Sequence, residues 1–241
     1  MEKQAIRERV WDALESSGEA RFPFPPHGRI PNFAGARAAA DRLTETPEWK
    51  SATAIKANPD SPQLPIRRRA LREGKTVYMA VPRLRDEECF YELDPESLDD
   101  DVLDSAPTVS HVATHAEKVG PDRLPDINLI LSGSVAVTEQ GARIGKGEGF
   151  SDLEYAILHG LGAVSEETAI VTSVHELQVC DDAPAPDAHD VPMDLVVTPE
   201  RTIRTETPYS RPTGIQWEAL SDEQIAEMPV LQQLRPERRK Q

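Results

Sequence analysis

The sequence predicts an α/β fold built on an open, largely parallel sheet with helices on both faces. Two observations carry that expectation. Apolar runs such as "INLILSGSVAV" and "TAIVTSV" are continuous rather than alternating, as strands covered on both sides require. They also take turns along the chain with segments of helical composition, the order that crossover units produce.

Ile6, Val10 and Leu14 recur at four-residue spacing and Gly18 follows as a stop, so the chain opens on a helix. "RFPFPPHGRIPNF" carries four prolines between Pro23 and Pro31 and reads as a loop. Helical composition resumes in "FAGARAAADRLTET", before Pro47. "SATAIKA" reads as a short strand and "SPQLPIRRRALREGK" as a helix closing at Gly74. "TVYMAVPRL" is a strand ended by Pro82. Residues 93–122 are acidic, dotted with proline and weakly patterned, which predicts loop with one short helix. "INLILSGSVAV" is a buried strand, followed by a turn at "EQGAR", a glycine loop and a helix at "SDLEYAILHGLG". "TAIVTSV" and "MDLVVTP" are further strands, separated by the loop "CDDAPAPDAHDVP". One domain is expected over residues 1–202, with 203–241 a partly extended appendage ending in the basic "RPERRKQ".

A chain of 241 residues suffices for one well-filled core. No stretch approaches the ~20 apolar residues of a membrane span, and "MEKQAIRERV" is no signal peptide, so a cytoplasmic location without membrane attachment is expected. Cys89 and Cys180 are far apart and lack CxxC spacing, which argues against a structural disulfide or a thiolate metal cluster. The net charge is −15, from 42 acidic and 27 basic residues, and arginine far outnumbers lysine. Such a surface suits a halophilic, salt-rich cytoplasm. It also counts against nucleic acid as a partner, because that affinity comes mainly from phosphate neutralisation.

"RIGKGEGFSDLEYA" places Gly145, Gly147 and Gly149 just ahead of a helix. A Walker loop is excluded because Lys146 is followed by Gly147, and the dinucleotide fingerprint is excluded by the GxGxG spacing. The physics behind both motifs is retained: glycines admit backbone amides to an anion beside a helix N-terminus. Arg143 and Lys146 add positive charge, and Ser151 or Asp152 is placed to cap the helix. A plain turn into a capped helix fits the glycines equally well. An acid beside a phosphate requires a cation between them, so the anion-binding alternative demands Mg2+ and a second carboxylate from elsewhere.

With its flanks, "GARIGKGEGFSDLEYA" resembles the nucleotide loop of the 5-formyltetrahydrofolate cyclo-ligases, with Gly141, Arg143, Gly145, Gly147, Gly149 and Asp152 all in place. "KQAIR" supplies the family's N-terminal pattern in Lys3 and Arg7. "EGKTVYMAVPRL" and "LQVCDDAPAPDAHDVPMDLVVT" resemble two further family blocks, and the blocks run in family order over about residues 3–200. "RIPNFAGA", "KANPDSPQ" and "GSVAVTEQG" are most similar to the branch of methenyltetrahydrofolate synthetase domain-containing proteins.

The resemblance implies an ATP- and Mg2+-dependent reaction that closes 5-formyltetrahydrofolate, or a related pterin, to the 5,10-methenyl form with release of ADP and phosphate. It implies that Lys3 and Arg7 grip phosphates, and that Arg143, Lys146 and the loop of Gly145, Gly147 and Gly149 cradle the nucleotide and serve the transfer. It assigns Mg2+ to Asp152 and Asp190. Lys56, Asn58, Asp60 and Phe150 stand where pterin contacts are implied, and Phe150–Ser151 replaces a double tyrosine of the family. Two alternatives follow from that replacement: an ATP-dependent ligase for another amide-bearing metabolite, or a nucleotide-binding or RNA-associated module without turnover. His111 and His115, four residues apart, read as an exposed segment rather than a metal site, and His175 as a hydrogen-bonded structural residue.

Overall fold

A computed structural model describes residues 2–235. Helix α1 (Lys3–Ser16) buries Ile6, Val10 and Leu14 on one stripe and ends before Gly18, whose φ of 74° turns the chain away. Two-residue strands β1 (Ala20–Arg21) and β2 (Asn32–Phe33) pair antiparallel across the proline-rich loop. Then come α2 (Ala36–Thr44), α3 (Pro47–Ser51), β3 (Ala54–Ala57), α4 (Leu64–Arg72) and β4 (Thr76–Ala80). The middle of the chain forms β5 (Phe90–Leu93), α5 (Val112–His115), β6 (Glu117–Val119) and β7 (Leu129–Leu131). A small hairpin of β8 (Ala136–Val137) and β9 (Arg143–Ile144) leads into α6 (Phe150–Gly160). The remainder is β10 (Ala169–Ser173), β11 (Leu195–Val197), β12 (Thr202–Arg204), α7 (Asp222–Glu227) and α8 (Pro229–Leu234).

Eight strands form the central sheet, in the order β12-β11-β10-β7-β3-β4-β5-β6. The five strands from β11 to β4 run parallel, while β12 pairs antiparallel with β11 at one edge, and at the other β5 pairs antiparallel with β4 and β6 antiparallel with β5. The parallel strands are the continuous apolar runs of the sequence; Leu129, Ile130 and Leu131 of β7 are all buried, as are Val196 and Val197 of β11.

Two segments differ from expectation. The stretch 93–122 ends in a strand, β6, and β5 lies just ahead of it, so the sheet continues where loop was predicted. Both strands are short and carry exposed or half-exposed polar residues (Glu92, Glu117, Lys118), which hides their periodicity. At the other end, β12 straddles the expected domain boundary and pairs with β11. Beyond it Ile225, Met228, Val230 and Leu231 join the main core, and α8 packs on α6. The basic "RPERRKQ" lies outside the described residues apart from Arg235.

The connections position the site. From β3 through α4 to β4 the chain steps one way along the sheet; from β7 through α6 to β10 it steps the other way. Right-handed crossovers therefore put α4 and α6 on opposite faces. The strand order reverses between β3 and β7, which pair parallel from Ile55 opposite Leu129. A crevice opens at the carboxyl ends of such a pair of strands.

Candidate functional site

That crevice is a cavity of about 370 Å³. One bank carries Asn58, Pro59 and Asp60, just past β3, with Val81, Pro82 and Arg83 past β4. The other carries Gly133, the whole glycine loop, and the first turn of α6, with Lys3 and Arg7 of α1 and His189 and Asp190 closing over it. Segments as distant in sequence as Lys3, Asp60, Arg143 and Asp190 thus share one cavity.

Each loop glycine answers a different demand. Gly147 has φ +105° and Gly149 φ +72°, conformations that a side chain disfavours. Gly145 lies close to Arg143, and a Cβ there, 2.9 Å from Nη1, would oblige that guanidinium to shift. Gly149 itself is the N-cap of α6, in the left-handed region, and no side chain caps the helix. Ser151 and Asp152 therefore do not cap, contrary to the sequence reading; both lie inside the first turn. The consequence is an eleven-residue helix whose leading amides face the cavity unclaimed by a side-chain cap.

Asp152 has other partners. Its Oδ2 accepts from Arg143 Nη2 at 2.6 Å and its Oδ1 from the Val191 amide at 2.9 Å. Arg143 also donates from Nη1 to the Gly133 carbonyl at 2.8 Å. Each oxygen of Asp152 thus accepts one hydrogen bond within the protein, which ties this implied metal ligand to Arg143 and to the segment of Asp190. Asp190 itself belongs with Asp187 and His189, whose ligand atoms lie within 4.8 Å of one another. The Lys3 ammonium sits on this group, 2.6 Å from Asp190 Oδ2 and 2.7 Å from Asp187 Oδ2, and holds the Asp187 carboxyl below the usual range. Arg7 donates from Nε to the Gly145 carbonyl at 2.7 Å and reaches Gln4, so its charge is left uncompensated by any adjoining carboxylate bond. Partial burial lowers its pKa, opposed by the nearby Asp190. Lys146 pairs with Glu148 at 2.9 Å within the loop.

The opposite bank is organised by two buried cations. Lys56 is 1 % exposed, does not line the cavity, and pairs with Glu154 of α6 while donating to Asn58 Oδ1 at 2.7 Å. It thus supports from beneath two residues that line the cavity, Asn58 and Glu154; Asp60 and Phe150 line it as well. Arg67 of α4 is fully buried and donates to the carbonyls of Asn58, Pro59, Asp60 and Pro107 at 2.6–3.1 Å, fixing the segment that presents Asp60. Burial pulls the Arg67 guanidinium down to about 10. Burial likewise raises the Asp60 carboxyl, opposed by Lys146, Arg67 and Lys56.

Sequence reasoning missed Arg67, Arg83, Glu154, Asp187 and His189. Arg67 looked like one of a run of solvated helix arginines, and only packing reveals it as a clamp. Arg83 lines the cavity with φ +58°, an unfavourable conformation for a residue with a side chain. Asp187 and His189 were legible as an acidic His-Asp step in "PAPDAHD". Elsewhere, His175 caps a short turn by accepting from Leu177 N, and His111 stacks on His115 at 6.4 Å, with no acidic partner grouped there as a metal cluster among the described residues. Both cysteines are free thiols. Among the described residues no helix is long and apolar enough to cross a membrane.

Fold and site together define an open α/β protein with a glycine loop and a helix N-terminus at the switch point of a parallel sheet. The family model of the 5-formyltetrahydrofolate cyclo-ligase family matches residues 1–199, and the chain belongs to that family. It is 44% identical to the methenyltetrahydrofolate synthase domain-containing protein of Mus musculus, over 99% of this chain and 64% of that protein. It is 43% identical to the Bos taurus protein of the same name, over 97% of this chain and 62% of that one. The chain therefore spans less than two thirds of the length of these curated relatives. In fold it resembles the 5,10-methenyltetrahydrofolate synthetase of Aquifex aeolicus, with a TM-score of 0.55 at 20% identity, covering 87% of this chain and 96% of that one.

Proposed function

We propose that the protein is an ATP- and Mg2+-dependent cyclo-ligase that converts 5-formyltetrahydrofolate, or a related formylated pterin, to the 5,10-methenyl form. The observation that carries this reading is the uncapped N-terminus of α6 behind Gly147 and Gly149, with the Arg7 guanidinium packed over the loop, 3.5 Å from where a Cβ on Gly147 would stand. In the reaction the formyl oxygen attacks the γ-phosphorus, ADP leaves, and a second substrate nitrogen displaces phosphate from the formyl carbon.

The residues divide by bank. Lys3, Arg7 and Lys146 with the loop amides bind and orient the triphosphate; Arg143, held by Asp152, keeps positive charge beneath the loop. Asp190 with Asp187 would hold Mg2+, whose contribution is to neutralise phosphate charge. The fit rests on their oxygen-rich donor set, with His189 beside it; Lys3 now bonds both carboxylates and would move onto the phosphates as the metal took its place. Asn58 and Asp60 face the acceptor, and Phe150 supplies an apolar surface to it. A cytoplasmic setting suits this chemistry.

The reading is tested by incubating purified protein with ATP, Mg2+ and 5-formyltetrahydrofolate and following methenyl absorbance and ADP together. Product in equal amounts is expected. ATP binding without methenyl product or ADP would instead favour the second reading, a nucleotide-binding module without turnover. That reading draws on Phe150–Ser151, where the resemblance leads to tyrosines, and on Lys56 being withdrawn beneath the acceptor bank.

A further inference from the structure

Helices α2 and α4 pack against each other, and a groove of about 460 Å³ opens beside them. It shares no lining residue with the crevice. Apart from Ala40 and Pro65 its lining is charged: Arg37 and Asp41 come from α2, Arg68, Arg69 and Arg72 from α4, and Asp104 from the chain after β5. The α4 arginines share one side of the helix because Arg72 follows Arg68 by four residues and Arg69 by three. Asp41 pairs with Arg69, and Arg72 donates from Nε to Asp104 Oδ1 at 2.8 Å. Arg68 donates from Nε to the Asp104 carbonyl at 2.7 Å, and among the described residues no carboxylate takes its terminal nitrogens. Arg37, exposed in the first turn of α2, forms no hydrogen bond or ion pair among the described residues. Four arginines thus face two aspartates, and two guanidinium charges stand unneutralised in a chain of net charge −15. They converge on one point: the Asp104 carboxyl is held below the usual range by its bond to Arg72 and by the charges of Arg72, Arg68 and Arg37.

We propose that this groove binds a phosphoryl dianion, free or as the monoester of a small metabolite, between Arg37 and Arg68. The charges match. A phosphate monoester carries about −1.5 to −2 at neutral pH, which two guanidinium groups neutralise, whereas a single carboxylate answers only one. The geometry of the donors matches as well, since each planar fork can give two parallel hydrogen bonds to phosphate oxygens. Asp41 and Asp104 are drawn onto Arg69 and Arg72, which reduces the repulsion that an entering anion meets. The groove exceeds the needs of a bare phosphate and falls in the range of small-molecule sites, on the order of 300–1,000 Å³, so an attached organic group has room.

The test is a set of calorimetric titrations on the full chain at low ionic strength and neutral pH. Inorganic phosphate, glycerol phosphate, glycerol and malonate are titrated into Arg7→Ala, where the crevice's own cradle is weakened, and into the same chain with Arg37→Gln and Arg68→Gln added. The expected result is binding of phosphate and of glycerol phosphate to the first protein, weakened roughly tenfold or more in the second, the equivalent of a lost charge-assisted bond. Glycerol is expected not to bind, and malonate, with the same charge split over two carboxylates, to bind more weakly than phosphate. Glycerol phosphate binding more tightly than phosphate assigns the groove to a monoester; the reverse assigns it to the free ion. Arg37→Gln alone, at an exposed residue without a partner, carries the comparison should the triple variant fail to fold. Phosphate affinity unchanged in a folded groove variant overturns the proposal, as does the absence of phosphate binding to Arg7→Ala. Malonate binding as tightly as phosphate overturns the phosphoryl assignment. None of these outcomes bears on turnover in the crevice, so the two readings stand or fall separately.

Discussion

Arg143 of β9 and Asp152 of α6 form a buried ion pair at 2.6 Å, with side-chain exposures of 6% and 9%, and the other oxygen of Asp152 holds the Val191 amide. One carboxylate thus joins the hairpin, the helix and the segment that carries Asp190. Removing it leaves Arg143 uncompensated in a buried position, a loss of about 3–5 kcal/mol. Asp152→Ala is therefore expected to lower stability by that order in urea titrations without ligand. A carboxylate whose role was metal binding alone would leave the apo-protein's stability unchanged or higher.

Lys56 and Glu154 bridge β3 to α6 in the same manner. Lys56→Met alone is expected to destabilise by about 3–5 kcal/mol, and the double variant Lys56→Met, Glu154→Leu to recover most of it. Equal losses in the single and double variants would show that packing, not the stranded charge, sets the effect.

Asp60 gives a pH dependence of defined sign. Its carboxyl is raised by burial, so the folded state binds the proton more tightly than the unfolded state does. Stability then declines as pH climbs from the ordinary carboxylate value of 3.8 through the raised one. Asp60→Asn is expected to raise the melting temperature at neutral pH, by about 2–4 °C per kcal/mol regained, and to have no such effect near pH 3. Thermal melts of both proteins across that range check the crossing.

Arg7 is half-buried and, among the described residues, bonds uncharged groups, the Gly145 carbonyl and Gln4. Its substitution should act on ligand more than on fold. Arg7→Ala is expected to weaken ATP roughly 10- to 100-fold, the equivalent of one lost charge-assisted bond, with a stability change under about 1 kcal/mol. Calorimetry and thermal melts on the same sample separate the two effects.

The parallel strands and the glycine loop were legible because their signals are local: uninterrupted apolar runs, and glycines where the backbone takes positive φ. What stayed hidden depends on who sits opposite whom. The arginine triplet 67–69 looks uniform in sequence, yet Arg67 is buried under four carbonyls while Arg68 and Arg69 remain at the surface. Asp152 reads equally as cap, metal ligand or ion-pair partner until the hairpin brings Arg143 beside it. Strand β5 and the edge strand β6 were obscured because a three- or four-residue strand with polar flanks carries too little periodicity to register. The C-terminal helices were short enough to pass for an appendage, although Ile225, Val230 and Leu231 are core residues.

The reversal of strand order between β3 and β7 has an evolutionary corollary. The bank bearing Asn58 and Asp60 belongs to one crossover and the bank bearing the glycine loop to the other, so away from the Lys56–Glu154 pair that ties them a change in one bank need not reach its counterpart. A lineage can thus keep one chemical half of the crevice intact while trading the other, and Phe150–Ser151 lies at the seam where such an exchange would first be written.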